Sequence, residues 1–570
     1  MPKQKQKKSA ATKKVATPTT KMQRFAAWID AHILLLLSGF LLVFIPLYPK
    51  LPLFEAIPGY IVRVRLEDVA ILLTAVVWCV QVLRKKITIK TPLTTIIAAY
   101  VLVGFFSSLS AIFITHTVPF QPVHVGKTFL HFFRYIEYFS LFFIIFSAIK
   151  TKKDAVLLLK VVFVTLLGVI LYGIGQKYLY WPVYSTMNRE FSKGVRLYLT
   201  EGGRVQSTFG GHYDLAGYLV VLLPFVFSFA LLAKKKMQRY TLWLLFVLGL
   251  WMLIVAASRS SFISFLLAAV VMIFLLALKQ SSLKQKLRYF FTKSLLLGVL
   301  VYVLVAFFGT TMYTRLLQTL EGYPTAYQNY MVIETQRIAL VTAIDDVVPP
   351  REEWFEKPEN SLSTDELDTA LTQSDTQPTK ERPSDVKVDI PVKVRVSTTS
   401  ADGKKTTVVI EKERTYSENA LKYGLSAAIR YDTLWPRAIA GFESNPLLGS
   451  GYATLTKDTT YHFTEAESTD NNFLRTLGET GLLGFLTFYG ATVIAMWLAL
   501  YAYRTTSNRF VRGVSVAYLA AALGLLINAS YIDVFAASKV AFTFWGMTAV
   551  VLAVVMQERR SDTPQPMQTE

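Results

Sequence analysis

The stretch that decides the fold is "VAASRSSFISFLLAAVVMIFLLAL", residues 255–278. From Phe262 to Leu278 it carries no charge and is long enough to cross the hydrocarbon core of a bilayer as a helix. The apolar run is continuous. A membrane β-strand would alternate between lipid-facing and interior residues, so a helix is the reading. A second run, "HILLLLSGFLLVFIPLY" at 32–48, has the same character, and 53% of the 570 residues are hydrophobic. The chain reads as an all-α membrane protein of about twelve transmembrane helices.

The spans fall at 31–49, 66–83, 92–114, 128–149, 154–175, 212–233, 240–257, 260–279, 294–310, 482–503, 511–531 and 537–556. The formal charge of +21 is no sign of nucleic acid, because the basic residues stand in short clusters between apolar runs. "RKKITIK" at 84–90, "KTKKD" at 150–154, "AKKKMQRY" at 233–240, "KQSSLKQKLRYFFTK" at 279–293, "YRTTSNRF" at 503–510 and "QERR" at 557–560 all fall on one side of an alternating topology. Lysine and arginine mark the cytoplasmic side, so both termini are expected inside, in a multi-pass protein of the cytoplasmic (inner) membrane. The lone Cys79 excludes an intrachain disulfide. No small-residue cleavage site follows the basic start, so no cleavable signal peptide is expected.

The expected layout is a disordered basic cytoplasmic arm at 1–28, spans 1–9 over 29–310, and a large extracytoplasmic loop at 311–480. Spans 10–12 then fill 481–557, and 558–570 form a cytoplasmic tail. Within the loop, 346–385 is rich in Pro, Ser, Thr and acids and reads as flexible. Residues 386–414 hold two β-rich runs around "ADGK" and read as a small β-hairpin. Residues 416–443 place Leu421, Leu425, Ala428 and Ile429 at helical spacing, which suggests a short amphipathic surface helix bent at Pro436.

Polar residues far apart in sequence collect at the external edge of this layout. Arg259 stands between two apolar helices, where an arginine is costly unless it is paired or reaches headgroups. Ser258, Ser260 and Ser261 around it suit either a snorkelling turn or a helix start open to an anion. Arg204 follows Gly202 and Gly203 and precedes Gly210 and Gly211, which allow close backbone approach to a ligand. Two arginines at one face suit a diphosphate, since each guanidinium holds phosphate oxygens bidentately. His212 is a further contact candidate, and Asp214 reads as a helix cap. Arg430 and Arg437 complete a positive outer pocket or form a solvated face. Asp470 and Asn471 precede span 10 and serve either as helix caps or as part of a site. Arg134 and Glu137, three apart, read as an intramembrane packing pair. Histidines are scattered and no HExxH occurs, so no metal is expected.

In these pieces the chain resembles the O-antigen ligase and O-antigen polymerase family of membrane glycosyltransferases. The matching pieces are "RVQSTFGGHYDLAGYLVVLLP" at 204–224, "SRSSFISF" at 258–265, "NPLLGSGYATL" at 445–455 and "DNNFLRTLGETGLLGF" at 470–485. Weaker echoes are "RYIEYF" at 134–139 and "IDVFAASKVAFTFWG" at 532–546. The resemblance covers about 130–550, apart from the insert 345–415. It implies a glycan donor on an undecaprenyl diphosphate carrier, an acceptor glycan, lipid or protein bearing a hydroxyl, diphosphate contacts from Arg204 and Arg259, and no cofactor. The family's motif carries a histidine some ten residues before a GxxG. Here the GxxG is Gly481–Gly484 and the matching position is Asp470, followed by Asn471. Asp470 would accept or orient the acceptor's proton while arginines stabilise the leaving diphosphate. A carboxylate, with an ordinary pKa of about 4, is a weaker base than histidine unless burial raises it. The alternative reading is a polytopic transporter or lipid-linked-glycan flippase. That would place charges at the bilayer midplane and show inverted repeats, and neither is visible. A peptidoglycan-type polymerase would also use an external acid, but the motif order argues against it.

Overall fold

The structure is a computed structural model. It describes residues 20–57, 62–187, 191–200, 202–310, 335, 362–363, 392–399, 405–412, 415–455 and 468–562. Twelve of the described helices are long and apolar enough to span a bilayer, and the protein is a multi-pass membrane protein. The first nine are α1 (Lys21–Leu47), α2 (Leu66–Leu83), α3 (Thr94–Phe113), α4 (Pro122–Ala148), α5 (Lys152–Tyr178), α6 (His212–Leu232), α7 (Lys236–Val255), α8 (Arg259–Leu278) and α9 (Leu283–Phe308). Three short helices follow outside the bundle: α10 (Glu418–Tyr423), α11 (Leu425–Ile429) and α12 (Trp435–Ser444). The last three spans are α13 (Asn472–Thr505), α14 (Arg509–Ala529) and α15 (Ser538–Asp562).

Helices α6, α14 and α15 form the enclosed centre, whereas α2 and α9 turn most of their surface outward. Lipid is as apolar as leucine, so helices in a bilayer associate through close packing rather than water exclusion. The composition of α14 fits this. Its buried Ala517, Ala520, Ala521, Ala522 and Gly524 bring α6 and α8 close, and a Cβ at Gly524 would lie 3.0 Å from Val220 and 3.1 Å from Ala268.

The connections sort into two ends. At one end Asn528 donates to Ser261 (2.9 Å), Asn445 to Ser110 (3.0 Å) and Lys539 to the Tyr48 carbonyl (2.6 Å). At the other, Arg84 pairs with Asp30 (2.7 Å), Lys152 with Glu558 (2.5 Å), and Lys279 donates to the Arg504 carbonyl (2.9 Å). The second end carries the lysine- and arginine-rich turns and is called the basic end. The first carries the described parts of 179–211 and of 415–471 and is called the site end.

Several boundaries differ from the sequence expectation; α4 begins at Pro122 rather than 128, and α9 at Leu283 rather than 294, where Ser282 caps it by accepting from Gln285 N–H (3.3 Å). Helix α1 begins at Lys21, inside the stretch expected to be a disordered arm. Thr20 and Gln23 exchange side-chain-to-backbone bonds (3.2 and 3.3 Å), a reciprocal cap that starts a helix before its apolar part. Residues 1–19 lie outside the described set. Helix α13 begins at Asn472, ten residues before the apolar run, because Asn471 caps it by accepting from the N–H groups of Phe473 and Leu474 (both 3.1 Å). The surface segment 416–443 is helical in two pieces rather than one: α10, then α11 running through a π-helical turn at Arg430–Leu434 into α12. Gly424 breaks it at φ +84°, and Pro436 directly follows the π-helical turn, in the first turn of α12.

Helix α13 is interrupted at Gly481, whose φ of 64° and ψ of −167° are open almost only to glycine. The residues after the break are long enough to span the membrane alone. The break frees backbone groups, and the segment 445–455 takes them up. Ser450 N–H donates to Gly478 O (2.8 Å) and Gly451 N–H to Glu479 O (2.9 Å). In return Leu482 N–H donates to Pro446 O (2.9 Å) and Leu483 N–H to Leu447 O (3.2 Å). Irregular backbone at a membrane edge is tolerated only where protein satisfies it, and here each segment satisfies the other.

Strands are peripheral. β1 (Pro52–Phe54) pairs with β2 (Val64–Arg65), and β3 (Leu197–Tyr198) with β4 (Leu362–Ser363) in parallel. β5 (Val392–Thr399) and β6 (Lys405–Lys412) form an antiparallel hairpin in register Thr399↔Lys405, the small hairpin expected over 386–414. Of the stretch 346–385 read as flexible, only β4 is described, and it is ordered by pairing with β3.

Candidate functional site

Charged residues converge on a cavity of about 230 Å³ at the site end, between α4, α6, α13 and the start of α2. Lys50, Arg65, Arg134 and Arg475 line it, with Asp214, His131, Tyr135 and Tyr138. Lys50 follows α1, Arg65 precedes α2, Arg134 is mid-α4 and Arg475 lies in the short part of α13 before its break. Four distant pieces of chain therefore supply four cations.

Most of the compensating carboxylates stand behind the wall. Lys50 pairs with Glu67 (2.6 Å) and also donates to Ser538. Burial lowers the pKa of Lys50, opposed by the negative charge of Glu67. Arg134 pairs with Asp68 (3.0 Å) and Glu137 (3.7 Å); Arg475 pairs with Asp533 (3.1 Å) and Glu479 (3.4 Å). Among the described residues Arg65 has Glu67 at 3.9 Å as its one ion-pair partner, and its buried Nε has no partner. Glu67 Oε2 and Glu137 Oε1 are likewise buried and unmet among the described residues. Each unmet buried polar group costs about 1–3 kcal/mol. A buried ion pair, for its part, is about break-even against apolar packing. Stability alone therefore does not account for so many charges in a membrane bundle.

Of the residues singled out from the sequence, Arg134 and Asp214 line this cavity; Arg204, His212, Arg430, Asp470 and Asn471 form a rim tied to it, and Arg259 and Arg437 are not among its lining residues. Arg204 Nη1 donates to His212 Nε2 (2.8 Å), which requires the lone pair of a neutral imidazole at that nitrogen. The next residue, Val205, donates its N–H to Val255 O (3.2 Å), joining the Arg204 segment to the α7–α8 turn. Arg259 is the exposed first residue of α8. The serines beside it are occupied: Ser258 and Ser261 hydroxyls bond each other (2.8 Å) and Ser261 accepts from Asn528. Asp470 pairs with Arg430 (2.9 Å), accepts from the Ser468 hydroxyl (2.8 Å) and holds φ +51°. The Arg430 guanidinium lies over the Tyr531 ring, 5.2 Å from its centroid. Arg437 is half-buried in α12. Burial raises the Asp470 pKa above its ordinary value, and Arg430 opposes this.

Two links join rim and cavity. His212 and Asp214 share the first turn of α6, and Asp214 lines the cavity; it sits in that turn without a capping bond, where an acid favours the helix dipole. The second link is Asp533. Its carboxylate accepts from the N–H groups of Thr469 (2.7 Å) and Asn471 (3.1 Å), from Ser468 Oγ (3.0 Å) and from Arg475 (3.1 Å). One buried carboxylate thus fixes both the turn that presents Asp470 and an arginine of the cavity wall. The Asn471 side chain is used as the α13 cap, so Asp470 is not the cap. Arg134 and Glu137 are paired as the spacing implied, with Asp68 as a third member.

Sequence reading missed Lys50, Arg65, Arg475 and Asp533 as site members. Arg475 and Glu479, four apart, carried a same-face signal inside a stretch already singled out. Lys50 and Arg65 carried none, since their partners are set by tertiary packing. Among the described residues no group of His, Cys, Asp and Glu has metal-holding geometry. No protein-family model matches the chain, and no curated protein matches it.

Proposed function

We propose that the protein is a membrane glycosyltransferase that moves a glycan from an undecaprenyl-diphosphate-type carrier to an acceptor hydroxyl. The observation that carries this reading is the cavity wall of Lys50, Arg65, Arg134 and Arg475 beside a turn bearing Asp470. Three guanidiniums and an ammonium suit the oxygens of a diphosphate, and fixed cations stabilise the charge that develops as it leaves. The reaction class comes from the resemblance to O-antigen ligases and polymerases in the order of the quoted motifs.

In this reading the acceptor oxygen attacks the anomeric carbon, and the bond to the diphosphate oxygen breaks with its electron pair. The hydroxyl proton passes to Asp470. Its raised pKa makes it a better base than an exposed aspartate, and Arg430 keeps it ionised. Arg204 and Arg259 extend the positive rim toward the rest of the donor. The site end faces outward, because the lysine- and arginine-rich end takes the cytoplasmic side, and the membrane is the cytoplasmic one. A flippase would need charges deep in the spans. Arg134, although mid-helix, pairs with Asp68 in the first turn of α2, at the end of that span, which supports the enzyme reading over the flippase.

The test is transfer by the purified protein in lipid nanodiscs, with a lipid-diphosphate-linked oligosaccharide as donor and a glycan acceptor. Wild type transfers; Arg65→Gln and Asp470→Asn each lower the rate by about 10²-fold, the usual effect of removing one charge-stabilising group. Wild-type rates in both variants would refute the assignment.

A further inference from the structure

At the basic end, helices α1, α2 and α4 leave a second hollow of about 340 Å³. Its floor is apolar, with Ala31, Leu34 and Leu35; its rim carries Asp30, Lys86 and Lys150. Asp30 is shared by Arg84 (2.7 Å) and Lys86, and Gln81 also donates to it (3.0 Å). The Lys150 ammonium donates to the Ala31 carbonyl (2.9 Å) and forms no ion pair among the described residues. Two lysines thus stand at the hollow with one carboxylate, itself shared with Arg84 outside the lining, over an apolar floor. The half-exposed Trp28 indole stacks on His32 (4.9 Å between ring centres) one turn from the hollow, and tryptophan favours the headgroup level of a bilayer. The hollow therefore opens where lipid headgroups lie.

We propose that this hollow binds an anionic phospholipid. The phosphodiester sits between Lys86 and Lys150, and the first carbons of an acyl chain cover Ala31, Leu34 and Leu35. A free phosphate would use the rim but leave the floor empty. A zwitterionic lipid would bring its own ammonium against the cations. Basic pockets between transmembrane helices recognise anionic headgroups in this way.

The experiment uses the full-length protein in detergent, with native mass spectrometry counting retained lipid after addition of phosphatidylglycerol, phosphatidylcholine or inorganic phosphate. Wild type retains phosphatidylglycerol in preference to phosphatidylcholine, and equal inorganic phosphate does not displace it. Lys150→Gln weakens retention about five-fold, and Lys86→Gln adds a similar factor, the expected contribution of single surface cations. Lys150→Arg keeps the affinity, and Lys284→Gln, a charge loss elsewhere at the same end, changes nothing. Equal retention of the two lipids, displacement by phosphate, or wild-type affinity in Lys150→Gln would overturn the proposal. Lys150 is exposed, so its substitution does not threaten folding.

Discussion

Gly481→Ala perturbs the one break in α13 on which the site end is built. An alanine there must hold a φ of 64°, in a region that costs about 1–3 kcal/mol for a residue with a Cβ. That Cβ would also lie on the Leu447 carbonyl and 2.5 Å from Leu448 N, so the segment 445–455 has to move. Moving it loosens the bonds from Leu482 N–H to Pro446 O and from Leu483 N–H to Leu447 O, each contributing about 1 kcal/mol. The sum is about 3–5 kcal/mol, large for a single substitution. Thermal unfolding of the detergent-solubilised protein, followed by size exclusion after heating, reads the effect. The control is Gly298→Ala in α9, where a Cβ meets nothing within 4 Å and helix propensity favours alanine by about 1 kcal/mol. Gly481→Ala should melt well below wild type and Gly298→Ala at or above it. A Gly481→Ala protein that melts with wild type would refute the reciprocal bonding described for the break.

The remaining expectations concern the site and its orientation. If Asp470 is the base, the transfer rate rises with pH along a limb set by its raised pKa, above 3.8, and Arg430→Gln moves that limb further up; a pH–rate profile unchanged in Arg430→Gln would contradict the pairing. The same shift gives a sign for stability. The folded state holds the proton longer than the unfolded one, so the contribution of Asp470 is present below pH 3.8 and lost as pH rises through the raised value. Unfolding of Asp470→Asn across the acid range should lack that fall. A topology reporter fused at residue 370 should signal from the exterior, and a cytoplasmic signal would reverse the assignment of the two ends.

The twelve spans were legible because apolar runs of membrane length leave little choice of structure. Their polar extensions were not. "TKMQ" at 20–23 holds the Ser/Thr-x-x-Glu/Gln cap signature, but the mixed stretch after it hides the helix from a hydropathy reading. The first turns of α13 are polar because Arg475 lines the cavity and Glu479 pairs with it and accepts from the Ala453 N–H, so apolarity marked only the part beyond Gly481. Asp470 and Asn471 stood out as polar residues at a membrane edge, yet their roles separate only in three dimensions. Asn471 caps the helix, while Asp470, one residue earlier, meets Arg430. The cavity was least legible, since Lys50 reaches Glu67 and Ser538 from opposite ends of the chain. Spacing found Arg134 and Glu137 but had no means to find Asp68.

The most direct measurement is the affinity of the purified protein for undecaprenyl diphosphate, compared with undecaprenyl monophosphate, in wild type and Arg65→Gln. A cavity that holds both phosphates binds the diphosphate tighter in wild type, and Arg65→Gln removes most of that preference, about ten-fold or more for a lost charge-assisted contact. Equal affinity for the two lipids, or a preference that survives Arg65→Gln, would contradict the account.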